Sequence, residues 1–198
     1  MIRFVAHAQV AAAILAGGRA QRFGGRDKSR LVVRGRTIIV RQVEVLQRVA
    51  AHVFIVAPDA ERFADVGLPV HADRIAGVGA IGGVHAALDA SPLERVLVVA
   101  CDMPFLDERL LTRLAELAES ADAAWVRTAS GPEPLLACYQ RRTRTALEDA
   151  MHEGRLKLAD LAGRIQVREL GGDELAAFGR VEELAANVNS PADLGKVE

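Results

Sequence analysis

Short runs of consecutive apolar residues alternate along the chain with segments whose apolar residues recur at helical spacing. The clearest runs are 10–15 and 96–100, and each is typical of a strand that is buried on both faces of a parallel sheet. In 37–50 the apolar residues recur every three or four positions, which is the period of an amphipathic helix. We therefore predict two buried strands and one helix from these segments.

The same criteria assign most of the remaining chain. Asp107 is a helix-capping residue type followed by apolar residues at helical spacing, and Ser190-Pro191 is typical of a helix start, so a helix is predicted after each. Further strands are predicted at 53–57, 68–71, 123–126, 135–139 and 165–170, further helices at 84–90 and 141–153, and loops at 16–28, 75–83 and 128–134. This alternation predicts an α/β fold, with helices on both faces of a mostly parallel sheet. No repeat or linker divides the chain, so one domain over 1–198 is expected.

The charge balance argues against some classes of partner. The chain has 25 Lys and Arg against 26 Asp and Glu, a net charge of −1. Because there is no basic surplus, neither nucleic acid nor an anionic membrane is an expected partner. No segment reaches the ~18 apolar residues that are needed to span a bilayer.

The cysteines and the N-terminus bear on the compartment. Cys101 and Cys138 form neither a disulfide framework nor a zinc-binding pattern, which favours a reducing compartment. Residues 3–16 weakly resemble a signal peptide, but a histidine and a glutamine interrupt the apolar run. The run also leads directly into a glycine loop, and we interpret it as a first buried strand.

The segment that follows the first predicted strand is the strongest candidate for chemistry. The glycine pair Gly17-Gly18 allows successive backbone N–H groups to converge on an anion. Arg22 and Lys28 add positive charge suited to a triphosphate. The GK[ST] ending of the P-loop and the GxGxxG dinucleotide fingerprint are both absent. We predict a phosphate-binding loop, and the alternative is a flexible glycine loop with solvated arginines.

Two aspartates lie close to the ends of other predicted strands, where ligands bind in such sheets. Asp102 follows the run 96–100, and Pro104 fixes the turn after it. Because Mg²⁺ often takes only one or two protein carboxylates, with phosphates and waters completing its shell, Asp102 is the predicted metal ligand. Asp73 precedes a glycine-rich loop over 75–83 that is suited to close over a base or ribose. The alternatives are a helix or turn cap for Asp102 and a surface turn for Asp73.

Other reactive side chains are weaker candidates. The five histidines are scattered and form no ligand pair by spacing, so structural roles are expected. Cys101 adjoins Asp102 but has no recognisable base partner, and we expect a small buried residue rather than a nucleophile.

Several motifs together resemble the molybdenum cofactor guanylyltransferases. LAGGRAQRFGGRDKSRL at 15–31 is similar to the signature of that family, approximately LAGGxxxRMGGxDKxLL. ADRIAGVGAIGGVHAAL at 72–88, CDMPFL at 101–106 and NVNSPADL at 187–194 follow in the family's order. GPEPLLACY at 131–139 matches the family's loop before a late strand. The resemblance covers essentially the whole chain, although LAGG by itself is shared with the wider nucleotidyltransferase superfamily.

The resemblance implies a Rossmann-like fold of the nucleotide-diphospho-sugar transferase type. It also implies Mg²⁺-dependent transfer of GMP from GTP to the molybdopterin-bound molybdenum cofactor, with release of pyrophosphate, in the cytosol. Asp102 matches the aspartate that GTP and Mg²⁺ share, and Lys28 and Arg22 join it as the predicted catalytic residues. The predicted nucleotide-binding residues are Leu15, Ala16, Gly17, Gly18, Lys28, Asp73 and Asp102.

The chain departs from the family pattern at a few positions. Val56 stands where some members carry an asparagine that contacts the nucleotide, so that contact is expected to be missing. Phe23 replaces the usual Met. Ser29-Arg30 stands where a small residue and Leu are common, which predicts a different charge at the rim of the loop.

Three other functions remain open from the sequence. A cytidylyltransferase that acts on the same cofactor is the nearest, but such enzymes tend to carry LAAG and to lack the Gly-Gly-x-Asp-Lys ending. A nucleotidyltransferase that acts on another small-molecule phosphate is more distant. A catalytically silent nucleotide-binding adaptor is a different class, and the presence of both Lys28 and Asp102 argues against it. Transient contact with proteins that deliver or receive the cofactor is also expected.

Overall fold

The sheet is the centre of the fold. The computed structural model describes residues 9–17, 27–73, 75, 77–188 and 193. In these residues seven strands form one sheet in the order β5-β4-β1-β6-β8-β7-β9, and β2 and β3 form a separate hairpin. The strands are β1 Val10–Leu15, β2 Val32–Val33, β3 Arg36–Thr37, β4 His52–Val56, β5 Val70–His71, β6 Arg95–Ala100, β7 Ala123–Thr128, β8 Gly131–Gln140 and β9 Val167–Gly171. In the seven-stranded sheet, all neighbouring pairs are parallel except those of β8 with β6 and with β7. The predicted mostly parallel sheet is confirmed.

Helices cover both faces of the sheet, as the alternation predicted. The α-helices are α1 Ile38–Val49, α2 Ala80–Ala90, α3 Glu108–Leu117, α4 Arg144–His152, α5 Gly172–Ala176 and α6 Val181–Leu184. Alternate residues of β1 enter opposite cores: Ala12 packs on the side of α1 and α3, and Ala13 packs on the side of α2 and α4. Every residue of β1 is buried, which explains its unbroken apolar run. In the described residues no helix is long and apolar enough to cross a membrane.

The largest correction concerns the second glycine-rich segment. The sequence predicted a loop to residue 83, but α2 begins at Ala80 and contains Gly82 and Gly83. A Cβ atom at Gly83 would lie 3.2 Å from Cδ1 of Leu15. The glycine in the helix therefore lets α2 approach the end of β1 closely, a role that local helix propensity does not predict.

The β7–β8 hairpin is also longer than predicted. A loop was expected over 128–134, between two predicted strands, yet β8 begins at Gly131 and Pro132 pairs with Arg127 of β7. The register then shifts: Val126 pairs with Glu133, whereas Trp125 pairs with Ala137. Residues 134–136 thus have no partner on β7 and form a bulge.

The remaining differences from the predicted elements concern short segments. The helix predicted over 141–153 consists of a 3₁₀ turn, Arg141–Thr143, followed by α4. The β2–β3 hairpin, the 3₁₀ helices and the short helices α5 and α6 were not predicted. Asp107 caps α3 as expected, with its Oδ1 accepting a hydrogen bond from the N–H of Leu110 at 2.9 Å. The predicted helix at Ser190-Pro191 lies outside the described residues.

Candidate active site

A cavity of about 670 Å³ opens at the carboxyl ends of β1, β4 and β6. Parallel pairing of β1 with both neighbours brings their ends to one edge of the sheet. Beyond the ladder, the N–H of Cys101 donates to the carbonyl of Leu15 at 3.1 Å, and the N–H of Ala16 donates to the carbonyl of Val56 at 2.8 Å. These bonds hold the segments that leave β1 and β6 side by side.

Most of the sequence-predicted site residues meet in this cavity. Gly18 and Arg22 lie outside the described residues. Val56, at the position where an Asn contact was expected to be missing, lines the cavity as well. The predicted residues that line the cavity are Leu15, Ala16, Gly17, Lys28, Asp73 and Asp102.

An ion pair between Lys28 and Asp102 joins the two strongest candidates. Nζ of Lys28 lies 3.2 Å from Oδ2 of Asp102, across 74 positions in the sequence. The Lys28 side chain is 23% exposed and the Asp102 side chain 15%, so the pair is partly buried but open to a ligand. An ammonium beside a carboxylate at a strand end can bind phosphate oxygens through one group and a metal ion through the other.

The backbone around Asp102 is fixed by Gln42 of α1. The amide nitrogen Nε2 of Gln42 donates to the carbonyl oxygens of Ala100 at 2.7 Å and Met103 at 2.9 Å. On the other side, the carbonyl of Asp102 accepts from the N–H of Val188 at 2.9 Å. Gln42 is only 1% exposed, and it bridges the two ends of the turn that presents the Asp102 carboxylate.

Replacing Gln42 with leucine is expected to lower turnover about tenfold. The Met103 carbonyl loses its donor, the Ala100 carbonyl keeps only the 3.3 Å hydrogen bond from the N–H of Met103, and the turn at Asp102 loosens. Leaving a buried carbonyl unpaired costs about 1–3 kcal/mol, so a lower melting temperature is expected as well. Turnover and melting temperature are both measured for each variant. Gln47→Leu, on the exposed side of the same helix, is the matched control. Full activity in a destabilised Gln42 variant would contradict the role in positioning Asp102.

Asp27, which precedes Lys28 and also lines the cavity, holds the loop in place through its side chain. Oδ1 of Asp27 accepts hydrogen bonds from the backbone N–H and the hydroxyl of Ser29, and Oδ2 lies 3.0 Å from Arg62. Burial raises the pKa of Asp27, but the hydrogen bonds from Ser29 and Arg62 outweigh it and lower the pKa below its usual value. The Asp27 carboxylate is therefore ionised and already bound, and it fixes the 3₁₀ turn on which Lys28 lies.

Asp73 lies against the first turn of α2. Its Oδ1 accepts from the N–H of Ile75 at 3.1 Å. A Cβ atom at Gly82 would lie 3.2 Å from both Asp73 carboxylate oxygens and 2.6 Å from Cγ2 of Val78. Glycine at 82 thus makes room for the Asp73 side chain at the edge of the cavity.

Ala16 is one of the predicted nucleotide-binding residues, but its backbone N–H is not available to a phosphate. Its N–H is used by the carbonyl of Val56 in the sheet, so it has no hydrogen to offer a phosphate oxygen. Within the described residues, the N–H groups suited to an anion begin at Gly17. If Ala16 contacts the nucleotide, it does so through atoms other than its N–H.

Sequence reasoning missed two residues of the site. Arg62 adds a cation to the cavity wall from the 3₁₀ helix Glu61–Val66, and it stacks over the ring of Phe63 at 5.6 Å. Gln42 reaches the turn around Asp102 from α1, which is otherwise a typical amphipathic surface helix. A polar residue on the apolar face of that helix was the available signal for Gln42. No local signal distinguishes Arg62 from a solvated arginine.

Cys101 lines the cavity without the properties of a nucleophile. Burial and the neighbouring Asp102 raise the pKa of its thiol to about 12. A thiol with such a pKa is protonated at neutral pH, which agrees with the expectation of a structural residue.

The donor set fits a magnesium ion that is shared with a substrate. Within the described residues, no group of three or more His, Cys, Asp or Glu side chains could hold a metal ion. Asp102 offers one hard, anionic oxygen ligand at the cavity, beside Lys28. Such a site suits Mg²⁺ that arrives with phosphate oxygens and keeps several waters, rather than a metal held by the protein alone.

Comparisons with known proteins cover nearly the whole chain. A family model described as the MobA-like NTP transferase domain matches residues 12–166. A probable molybdenum cofactor guanylyltransferase of Pelotomaculum thermopropionicum is 37% identical over 95% of this chain and 91% of its own length. A molybdenum cofactor guanylyltransferase of Desulfosudis oleivorans is 30% identical over 93% of this chain and 92% of its own length.

Solved structures show the same fold. The molybdopterin-guanine dinucleotide biosynthesis protein A of Archaeoglobus fulgidus superposes with a TM-score of 0.79 and 28% identity, over 95% of this chain and 96% of that one. The 2-C-methyl-D-erythritol 4-phosphate cytidylyltransferase of Thermus thermophilus has a TM-score of 0.65 over 93% of this chain and 95% of its own; at 20% identity, this likeness concerns the fold alone.

Proposed function

The chain belongs to the MobA-like NTP transferase family, and we propose that it transfers GMP from GTP to the molybdopterin-bound molybdenum cofactor. The products are the guanine dinucleotide form of the cofactor and pyrophosphate. The observation that supports this most is the full-length similarity to molybdenum cofactor guanylyltransferases in a chain that brings Lys28 and Asp102 to 3.2 Å in one cavity.

The proposed reaction needs no covalent enzyme intermediate. The terminal phosphate of the acceptor attacks the α-phosphorus of GTP in line, a new P–O bond forms, and the bond to pyrophosphate breaks. Catalysis of such transfers depends on positioning and on neutralising charge. Lys28 would neutralise phosphate charge, the N–H of Gly17 would bind a phosphate oxygen, and Arg62 would add positive charge at the wall. The acceptor phosphate is already ionised at neutral pH, so no general base is required.

Asp102 would hold Mg²⁺ together with phosphate oxygens of GTP. When bound, the ion would neutralise charge on the phosphates and help to align them. Gln42 contributes by fixing the turn that presents Asp102, and Asp27 by fixing the turn that presents Lys28. We place the reaction in the cytoplasm, in keeping with the family resemblance and the two unpaired thiols.

GTP is expected to be preferred over CTP by at least about tenfold in kcat/KM, which corresponds to ~1.4 kcal/mol of transition-state binding. The reason is the resemblance of the first motif, with its Gly-Gly-x-Asp-Lys ending, to the guanylyl rather than the cytidylyl enzymes. The measurement is pyrophosphate release with GTP, CTP, ATP or UTP, with the molybdenum cofactor and Mg²⁺ supplied. Equal or faster turnover with CTP would favour the cytidylyltransferase alternative. Nucleotide binding without turnover of any of the four would favour the adaptor.

A further inference from the structure

A second cavity adjoins the nucleotide cavity. It has a volume of about 480 Å³, within the roughly 300–1,000 Å³ of typical small-molecule sites. Asp102 and Leu135 line both cavities. We call the second cavity the acceptor groove; it lies between residues 132–135, residues 156–159 and Asp102. A molecule in the groove would therefore meet the nucleotide at Asp102.

The lining of the acceptor groove suits a ring with polar edges. Pro132, Pro134 and Leu156 provide apolar surface on which a heterocycle can pack. Two charged side chains interrupt this surface, the acid Glu133 and the base Lys157. An apolar groove with a few placed polar groups is typical of sites that bind and orient a small molecule.

The β8 bulge fixes Glu133 at the groove. Because residues 134–136 have no partner on β7, Glu133 begins the bulge while still paired with Val126. The hydroxyl of Tyr139 donates to the carbonyl of Pro134 at 2.8 Å and ties the bulge together. A rigid backbone on a sheet strand positions a binding side chain more accurately than a loop does.

No contact within the fold accounts for a carboxylate at position 133. Among the described residues its carboxylate makes no hydrogen bond or ion pair, whereas the carboxylate of Glu169 on β9 bonds to both Trp125 and Arg127. Burial of the Glu133 carboxyl raises its pKa above the usual value. A carboxylate that is partly desolvated without a partner is unfavourable by itself, and a ligand that donates hydrogen bonds removes that cost.

We propose that the acceptor groove binds the pterin ring of the acceptor and that Glu133 determines the specificity for it. The two oxygens of the carboxylate accept hydrogen bonds from the ring N–H and the exocyclic amino group, which lie side by side on the pyrimidine edge of a pterin. This is a bidentate, charge-assisted arrangement. Lys157 faces the anionic parts of the acceptor, and the acceptor phosphate lies at the Asp102 end, next to GTP. The proposal rests on the proposed function for the identity of the acceptor.

The first test is steady-state kinetics of Glu133→Gln. The amide is nearly isosteric, but it replaces one accepting oxygen with an NH₂ group that opposes the donors of the ring. We expect KM for the molybdenum cofactor to rise about tenfold or more, while KM for GTP and the Mg²⁺ midpoint change less than twofold. Glu182→Gln, at an exposed acid on α6, is the matched control and should leave all three unchanged. An unchanged acceptor KM, an equal rise in KM for GTP, or a shifted Mg²⁺ midpoint would each overturn the proposal, the last by assigning Glu133 to the metal.

The second test measures binding without turnover. 6-Hydroxymethylpterin is compared with 6-hydroxymethyllumazine, which has a carbonyl in place of the exocyclic amino group, by fluorescence titration. Wild-type protein is expected to bind the pterin about tenfold more tightly, and Glu133→Gln is expected to abolish that preference. Equal affinities in the wild type, or no binding of either compound up to about 1 mM, would overturn the proposal. A Glu133-dependent preference in a protein that fails to make the guanine dinucleotide would instead refute the proposed function and leave the groove assignment standing.

Discussion

Asp102→Asn is expected to lower kcat/KM for GTP by about 10³-fold or more, equivalent to ~4 kcal/mol of transition-state stabilisation. The amide keeps the size of the side chain and can still accept a hydrogen bond from Lys28, which lies 3.2 Å away. What it removes is the negative charge, and Mg²⁺ requires hard, anionic oxygen ligands. Binding of GTP without metal should change much less. Turnover is measured across a Mg²⁺ titration, and GTP binding is measured by calorimetry in EDTA.

The control for Asp102 is available five residues further along the chain. Asp107 caps α3 through its Oδ1, and asparagine is as good a cap as aspartate, so Asp107→Asn should leave turnover unchanged. If Asp102 were also only a cap, its substitution would be equally silent. Wild-type turnover of Asp102→Asn at ordinary Mg²⁺ would remove Asp102 from the proposed metal site.

The sheet could be predicted from the sequence because its central strands are buried on both faces. β1 is buried along its whole length and β6 along nearly all of it, and a continuous apolar run is the local consequence of such burial. Two other strands of the sheet were predicted less well. β5 has only two residues. β8 includes Pro132 and Pro134, which are unfavourable in strands; Pro132 lies where β8 has no partner on β6, and Pro134 lies in the bulge.

The site residues could be predicted where a motif follows a buried strand in the sequence. Lys28 and Asp102 were identified separately by position and motif, and their 3.2 Å contact follows from the adjacency of β1 and β6, which no local pattern specifies. Gln42 and Glu133 were not identified, because each acquires its role only through tertiary contacts. Gln42 reaches the turn at Asp102 from another element, and Glu133 lines a groove that exists only in the folded chain.

Lys28→Ala is expected to lower kcat/KM by about 10²-fold or more, in line with the loss of one charged contact to the transition state. The protein should remain folded, because partly exposed ion pairs contribute little to stability and Asp27, Ser29 and Arg62 still hold the turn. Circular dichroism and thermal melting establish the fold, and Lys28→Arg, which keeps the charge, should retain more activity than alanine. A folded, fully active alanine variant would exclude Lys28 from catalysis. An unfolded variant would contradict the expected stability.

Combining the two substitutions tests whether Lys28 and Asp102 act as one unit. If each acted independently, the losses would multiply, to about 10⁵-fold in the double variant. We expect a loss close to that of Asp102→Asn by itself, because the phosphates that Lys28 binds are the ones that Asp102 positions through the metal, and groups that act together are not additive. The measurement is kcat/KM for GTP in the two single variants and the double variant under one set of conditions. Strictly multiplicative losses would show that the 3.2 Å ion pair does not couple the two side chains during turnover.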